Sequence, residues 1–273
     1  MANKELEKIA IWFQCNKLTL NVSKTKYILF KKQDRKVDLS NYSLKIGNEC
    51  IERIGHDCEE KSFKFLGHHI DENLSWEFHI SHVKKKLATA NYFINSTKNY
   101  IPIHIRKILY NSFFRPHMEF GILAWGGVSL SKVKCIINLQ KKCIRNIAYK
   151  SYNSHTDPLF KCLEILKFQD LFKYNCSVFM YKYGHGLQPK SFANMFIPCN
   201  NNDRTGDYKL QLCKGSFLDK FPSVFMPRVW NYNSNNIKHA MSLGSLKSQI
   251  KTLYISHYNK YEKCSYPLCP DCN

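Results

Sequence analysis

FKFLGHHIDENLSWEFHISHVKKKLATANYFI, Phe63 to Ile94, changes its period halfway. Up to Ile70 it reads as an extended strand, with Gly67 where the backbone needs close approach. From Ser75 the apolar residues step by four and three: Trp76, Ile80, Val83, Leu87, Ala90 and Ile94 share one helical face. Ser75 suits the N-cap of that helix, because its hydroxyl can accept from an early helical N–H. Asp71 lies at the junction and reads as a turn or helix-entry residue rather than a metal ligand.

Upstream, Lys4 to Asn16 carries Leu6, Ile9, Ala10 and Phe13 at helical spacing. Leu18 to Asn21 and Lys26 to Phe30 read as strands, and the polar Lys31 to Ser40 as a loop. Tyr42 to Ile46 and Cys50 to Ile54 flank Gly47-Asn48, a pair that accepts positive φ in a tight hairpin turn. Downstream the pattern is helical. Pro102 opens a helix expected to end near Arg115, because Pro116 disfavours helix in its neighbour. Met118 to Trp125 is a short apolar helix that breaks at Gly126-Gly127. Further helices follow over Val133 to Ile147, Leu159 to Leu166 and Asp170 to Tyr183. Gln188 to Phe225 is rich in Pro and Gly and reads as loop, and Leu243 to Tyr258 restores the helical signal. The fold class expected is α+β: a small antiparallel sheet followed by a mostly helical region.

The 273 residues suffice for one large or two modest domains, and 44% apolar residues mark a folding chain. Lys and Arg number 41 against 21 Asp and Glu, a formal net charge of +20. That charge favours polyanions, and 14% aromatic residues add rings able to stack on bases. No apolar run approaches the roughly 18 residues a membrane-spanning helix needs, so no membrane partner is expected. The charged MANKELEKIA start is unlike a signal peptide, and an intracellular compartment, nucleus or cytoplasm, is expected. Most of the 12 cysteines are then expected as reduced thiols. Cys264, Cys269 and Cys272 differ, because their C-x4-C-x2-C spacing suits Zn2+, with His257 the nearest fourth ligand. His79 and His82 lie three apart on a helix but lack a third ligand, and His68-His69 point to opposite sides of a strand. Glu59-Glu60 reads as a solvated turn. There is no Gly-rich phosphate loop and no nucleophile-His-acid set.

Two stretches carry a family resemblance: WFQCNKLTLNVSKTKYILF (Trp12 to Phe30) and KSFKFLGHHIDENLSWEFHI (Lys61 to Ile80). Together they resemble the end of the palm in the reverse transcriptases of non-LTR, jockey-like retrotransposons. YNSFFRPHMEFGILAWGG from Tyr110, LQKKCIRN up to Asn146, SHTDPLF from Ser154 and RVWN from Arg228 continue the likeness. The resemblance implies an RNA-directed DNA polymerase fragment, expected as palm remnant over 1–73, helical thumb-like domain over 74–150, helical C-terminal region over 151–256 and Cys-rich tail over 257–273. It implies RNA and DNA, as template and primer, as partners. The family holds catalytic Mg2+ on an Asp-Asp pair upstream of the NKLTLN-like segment. No such pair occurs in these 273 residues, so polymerisation by this chain alone is not expected. The missing N-terminal half of the polymerase is the partner this implies.

On that resemblance Lys24 matches a lysine near the incoming triphosphate, and Phe65-Leu66-Gly67 matches the primer-grip turn. From charge and spacing come the remaining candidates for phosphate contacts: Lys26, Lys84-Lys85-Lys86 on one helix, and Lys134, Lys141, Lys142 and Arg145 on another. A non-catalytic nucleic-acid-binding protein reusing these helices is the alternative reading, and a zinc-dependent interaction module at the tail a third.

Overall fold

The computed structural model describes residues 2–32, 38, 42–199, 206–210 and 221–259. The fold is α+β, and its contacts divide the chain into two compact units between His79 and Ile80.

The first unit opens with helix α1, Ala2–Cys15, which buries none of its residues. It is tied down by Asn3, whose side chain donates to Ser43 O and accepts from Lys45 N, both at 3.1 Å. Leu18 to Asn21 is not a strand. Lys17 takes a φ of 55°, and Asn21 instead caps a 3-10 turn over Val22–Lys24, accepting from Lys24 N. Three two-stranded ladders follow. β1 (Lys26–Ile28) pairs parallel with β4 (Glu52–Ile54). This ladder is parallel, while the two that follow are antiparallel as expected. β2 (Lys45–Ile46) and β3 (Glu49–Cys50) form the hairpin around Gly47-Asn48, with Gly47 at φ 59°. β5 (Phe63–Phe65) and β6 (His68–Ile70) are antiparallel, so the single strand read over Phe63 to Ile70 is a hairpin turning at Leu66-Gly67.

The core of this unit is polar. Among its described residues only Ile51 and Ile54 are buried large apolar side chains, while Asp71, Glu72, Asn73 and His79 are buried beside them. The Asp71 carboxylate accepts from Asn73 N (3.1 Å), Ser75 N (3.1 Å), Ser75 Oγ (3.0 Å) and Trp76 N (3.2 Å). Leu74 and Trp76 can hold φ of 49° and 62° in this turn because the carboxylate fixes the backbone between them. Ser75 Oγ then accepts from Glu77 N, starting helix α2, Glu77–Thr97. Glu72 receives Arg53 Nη1 and Lys31 Nζ, each at 3.4 Å, and the backbone N–H of His56 at 3.3 Å. Asn73 Nδ2 donates to Lys31 O. Asp71 and Glu72 thus act in structure and not as a metal pair.

The second unit is helical. After α2 come α3 (Ile103–Leu109), a π turn over Tyr110–Phe114, and α4 (Arg115–Glu119). The expected stop near Arg115 does not occur. Pro116 removes one donor, and the helix widens so that Arg115 N reaches back to Tyr110 O. Gly121, at φ 60°, makes the break instead, before α5 (Ile122–Trp125). Helices α6 (Leu130–Ile147), α7 (Asp157–Cys162) and α8 (Phe168–Gly184) follow, then α9 (Pro222–Asn231), α10 (Asn235–Lys238) and α11 (Leu243–Ser256).

Helix α8 is central and packs on α4, α5, α6, α9 and α11. Trp125 stacks on Phe168 at 5.6 Å, and its indole N–H donates to Phe120 O. Gly126 lets the chain pass close to Phe172 of α8: a Cβ there would stand 2.6 Å from both Ile122 O and Phe172 Cδ2. Gln140 is a buried hub. Its Nε2 donates to the Tyr110 hydroxyl and to Leu166 O, and its Oε1 accepts from Phe168 N, all at 2.9 Å. This network crosses residue 150, so the two helical regions expected on either side of it share one core. The Cys143 and Cys176 thiols are buried there, and burial pushes both well above the usual thiol range. Cys15, Cys50 and Cys162 are exposed.

Replacing Asp71 with Ala leaves four donors without their acceptor. Urea unfolding should show the first unit weakened by about 3 kcal/mol, and by about half as much for Asp71→Asn, which keeps one acceptor oxygen.

Candidate nucleic-acid interface

The predicted residues fall into three settings. In the first unit, Lys24 ends the 3-10 turn and is exposed. Its neighbour Lys26 is engaged: the ammonium pairs with Glu60 and, at 3.1 Å, with Glu52. The Glu60 carboxylate holds this lysine above its ordinary range, against the opposing effect of burial. Lys26 thus forms ion pairs that tie two parts of this unit together, and Glu60, though exposed as expected, is one partner. Arg53 is likewise occupied, by Asp57 and Glu72, and it holds the Asp57 carboxyl below the usual range.

Phe65, Leu66 and Gly67 form the tip of the β5–β6 hairpin. Phe63 and Phe65 share one face with Ile70 and His68, while Lys64 and His69 take the other. Leu66 is 78% exposed at φ 46°, and Gly67 follows at φ 87°. Two positive φ values in a two-residue loop are the primed hairpin geometry, which asparagine-glycine fits with less strain than leucine-glycine. An apolar side chain is thus displayed at a strained tip. His68 stacks on His79 at 4.9 Å, and His69 N donates to His79 Nδ1 at 3.4 Å. His79 accordingly faces the hairpin.

The second unit carries the two basic helices. On α2, Val83 and Leu87 are buried while Lys84, Lys85 and Lys86 are all exposed. Successive helical residues rotate by about 100°, so these three fan around the helix instead of forming one patch. On α6 the geometry is tighter. Lys134, Lys141 and Arg145 recur at steps of seven and four along one stripe, with Lys142 beside it, opposite the buried Val133, Ile136, Gln140, Ile144 and Ile147. Lys134 and Lys142 are exposed, and Lys141 is half-buried. Arg145 is only partly available. Its Nε donates to Ser154 O at 2.8 Å, and its guanidinium lies 5.7 Å from the centre of the Tyr152 ring.

Sequence reading missed the tyrosines at this end of α6. Tyr149 is 60% exposed and Tyr152 77% exposed. Lys98 Nζ and Arg106 Cζ each lie 5.7 Å from the Tyr149 ring centre. The signal was present in the clustering of tyrosine with Arg and Lys over Arg145 to Tyr152, but Lys98 and Arg106 join it only through the fold. Arg106 is itself buried and donates to Asn146 O, and Asn146 Nδ2 donates to Asn91 Oδ1, linking α6 to α2.

No group of three or more His, Cys, Asp or Glu residues able to hold a metal occurs among the described residues. The zinc candidates Cys264, Cys269 and Cys272 lie outside the described residues, and the exposed His257 lies within them. No described helix is long and apolar enough to cross a membrane. The chain matches no family model, no curated protein and no solved structure.

Leu66→Asn should relieve the left-handed strain at the hairpin tip. Thermal or urea unfolding is expected to show a gain of about 1 kcal/mol, and a loss would mean that the leucine is held by packing.

Proposed function

We propose that this chain is the C-terminal part of a non-LTR reverse transcriptase and binds template-primer nucleic acid without catalysing polymerisation. One observation carries the binding reading: the α6 stripe of Lys134, Lys141, Lys142 and Arg145, in a chain of formal net charge +20. Exposed lysines on a rigid helix meet phosphates at little ordering cost, and backbone contact of this kind carries no base specificity. The three α2 lysines add charge in the same unit. The displayed Phe65-Leu66-Gly67 tip is consistent with a hairpin that presses on a primer backbone. In this reading the protein works in the nucleus or cytoplasm, where its cysteines stay reduced.

Polymerisation by these residues alone is excluded from this reading by their chemistry. Phosphoryl transfer of this class needs carboxylates to hold divalent ions. The chain has no Asp-Asp pair, and its buried carboxylates Asp71 and Glu72 are committed to backbone donors and to Arg53 and Lys31. Lys24 is then a triphosphate-side lysine only if the Mg2+-bearing half is supplied in trans.

Fluorescence anisotropy against salt tests the binding. An RNA–DNA hybrid should bind with a steep negative slope of log affinity on log salt. Lys134→Ala, Lys141→Ala and Lys142→Ala combined should lower that slope by about 2 to 3. An unchanged slope would refute the assignment of the stripe, and equal affinity for hybrid and duplex DNA would favour a general nucleic-acid-binding protein.

Incorporation of labelled dTTP on a poly-rA template with an oligo-dT primer should not exceed a no-protein control. Incorporation above it would show that a carboxylate site exists elsewhere in the chain.

A further inference from the structure

The turn that joins α6 to α7 is built to hold two tyrosines in water. Ala148 closes α6, Tyr149 N donates to Asn146 O, and Lys150 N donates to Arg145 O at 3.0 Å. These paired bonds require the left-handed region at residue 149, where Tyr149 has φ 53°. Glycine takes that position with the least strain, yet a tyrosine occupies it with most of its surface exposed. The next turn is locked as well. Ser154 N donates to Ser151 O at 3.1 Å, the two serine hydroxyls lie 2.9 Å apart, and Arg145 Nε holds Ser154 O. Tyr152 sits within this clamped turn.

Each ring has cations beside it: Lys98 and Arg106 at Tyr149, Arg145 at Tyr152. A cation near an aromatic ring is attracted to its face, and Arg106 is oriented for this by its bond to Asn146 O. The result is two exposed rings, three residues apart, on a backbone that hydrogen bonds keep from moving. Positive charge lies within a nucleotide's reach of both. A ring held in this way gives up little conformational freedom when a flat partner lands on it.

We propose that Tyr149 and Tyr152 are a stacking platform for two bases of a single-stranded nucleic acid, whose phosphates run along Lys98 and Arg145. Bases in a duplex are already stacked and cannot land on the rings, so the platform selects unpaired strand, such as a template or primer overhang. The inference rests on the nucleic-acid-binding reading above and refines it. The α6 lysines answer to phosphates of any strand, and the tyrosines answer to bases that are free.

The test uses the whole chain with three probes: an oligo-dT strand, a blunt RNA–DNA hybrid, and a single strand carrying a fluorescent purine analogue that dims on stacking. Tyr149→Leu and Tyr152→Leu should each weaken single-strand binding by about tenfold and leave hybrid binding unchanged. Tyr149→Phe and Tyr152→Phe keep the ring and should bind like the parent. Tyr149→Gly, which suits the left-handed turn, should keep the parent's melting temperature and lose the dimming of the purine probe. If the parent binds single strands tightly and the leucine variants bind equally well, the platform is refuted while the charge-based reading stands. Parallel loss on single strand and hybrid would likewise refute it, because the rings would then be acting on backbone or fold. If the parent binds no probe, the proposed function itself falls.

Discussion

A fully buried carboxylate, Asp71, holds the first unit in its conformation. It accepts from three backbone N–H groups and one hydroxyl within five residues, and so dictates how the chain leaves β6 and enters α2. With two isoleucines the only large apolar side chains buried among the unit's described residues, hydrophobic burial there supplies little of its stability. The second carboxylate, Glu72, gathers Arg53, Lys31 and the N–H of His56. A buried charge is tolerable when its hydrogen bonds are this complete, and strongly destabilising when one partner is lost. The same commitments explain why these acids are poor candidates for binding catalytic cations. Their lone pairs face the protein's own donors.

The helical unit solves its packing differently. Apolar stripes do most of the work, and one buried polar side chain, Gln140, aligns three elements by hydrogen bonding to α8, to the segment before it and to Tyr110. Burial pushes the Tyr110 phenol above its ordinary range, so it stays a neutral hydroxyl and a steady partner. Most of the charge stays on the surface, although Arg106, Lys173 and Lys238 are buried. The stripe of cations lies on the outer face of the same helix whose inner face carries Gln140, and the two tyrosines follow in the turn after it.

Much of this was legible in the residues. The period change at Ser75, the helical face from Ile80 to Ile94 and the glycine break after Trp125 follow from spacing and capping alone. The misreadings have physical causes. Leu18 to Asn21 alternates like a strand, but Asn21 prefers to cap a turn. Phe63 to Ile70 reads as one strand because leucine is an unusual choice for a left-handed turn position. The parallel pairing of β1 with β4 joins residues some two dozen apart and leaves no local signature. At the candidate interface, the basic stripe on α6 could be counted from the sequence. That Lys26 is spent on Glu52 and Glu60, and that Arg106 lies beneath Tyr149, depends on tertiary contacts that spacing does not encode.

The π turn has a quieter consequence. Tyr110, Phe114, Met118 and Ile122 are spaced by four, and all are nearly inaccessible to water. In a regular α-helix a step of four overshoots one revolution by about 40°, and such a row drifts around the cylinder. The wider turn over Tyr110–Phe114 rotates less per residue and cancels the drift, as a leap day corrects a calendar. Loss of one residue between Asn111 and Phe113 would restore an ordinary helical period and leave Met118 seven residues after Tyr110, still on the same face. The π turn therefore absorbs one extra residue while keeping Tyr110 and Met118 on the same face.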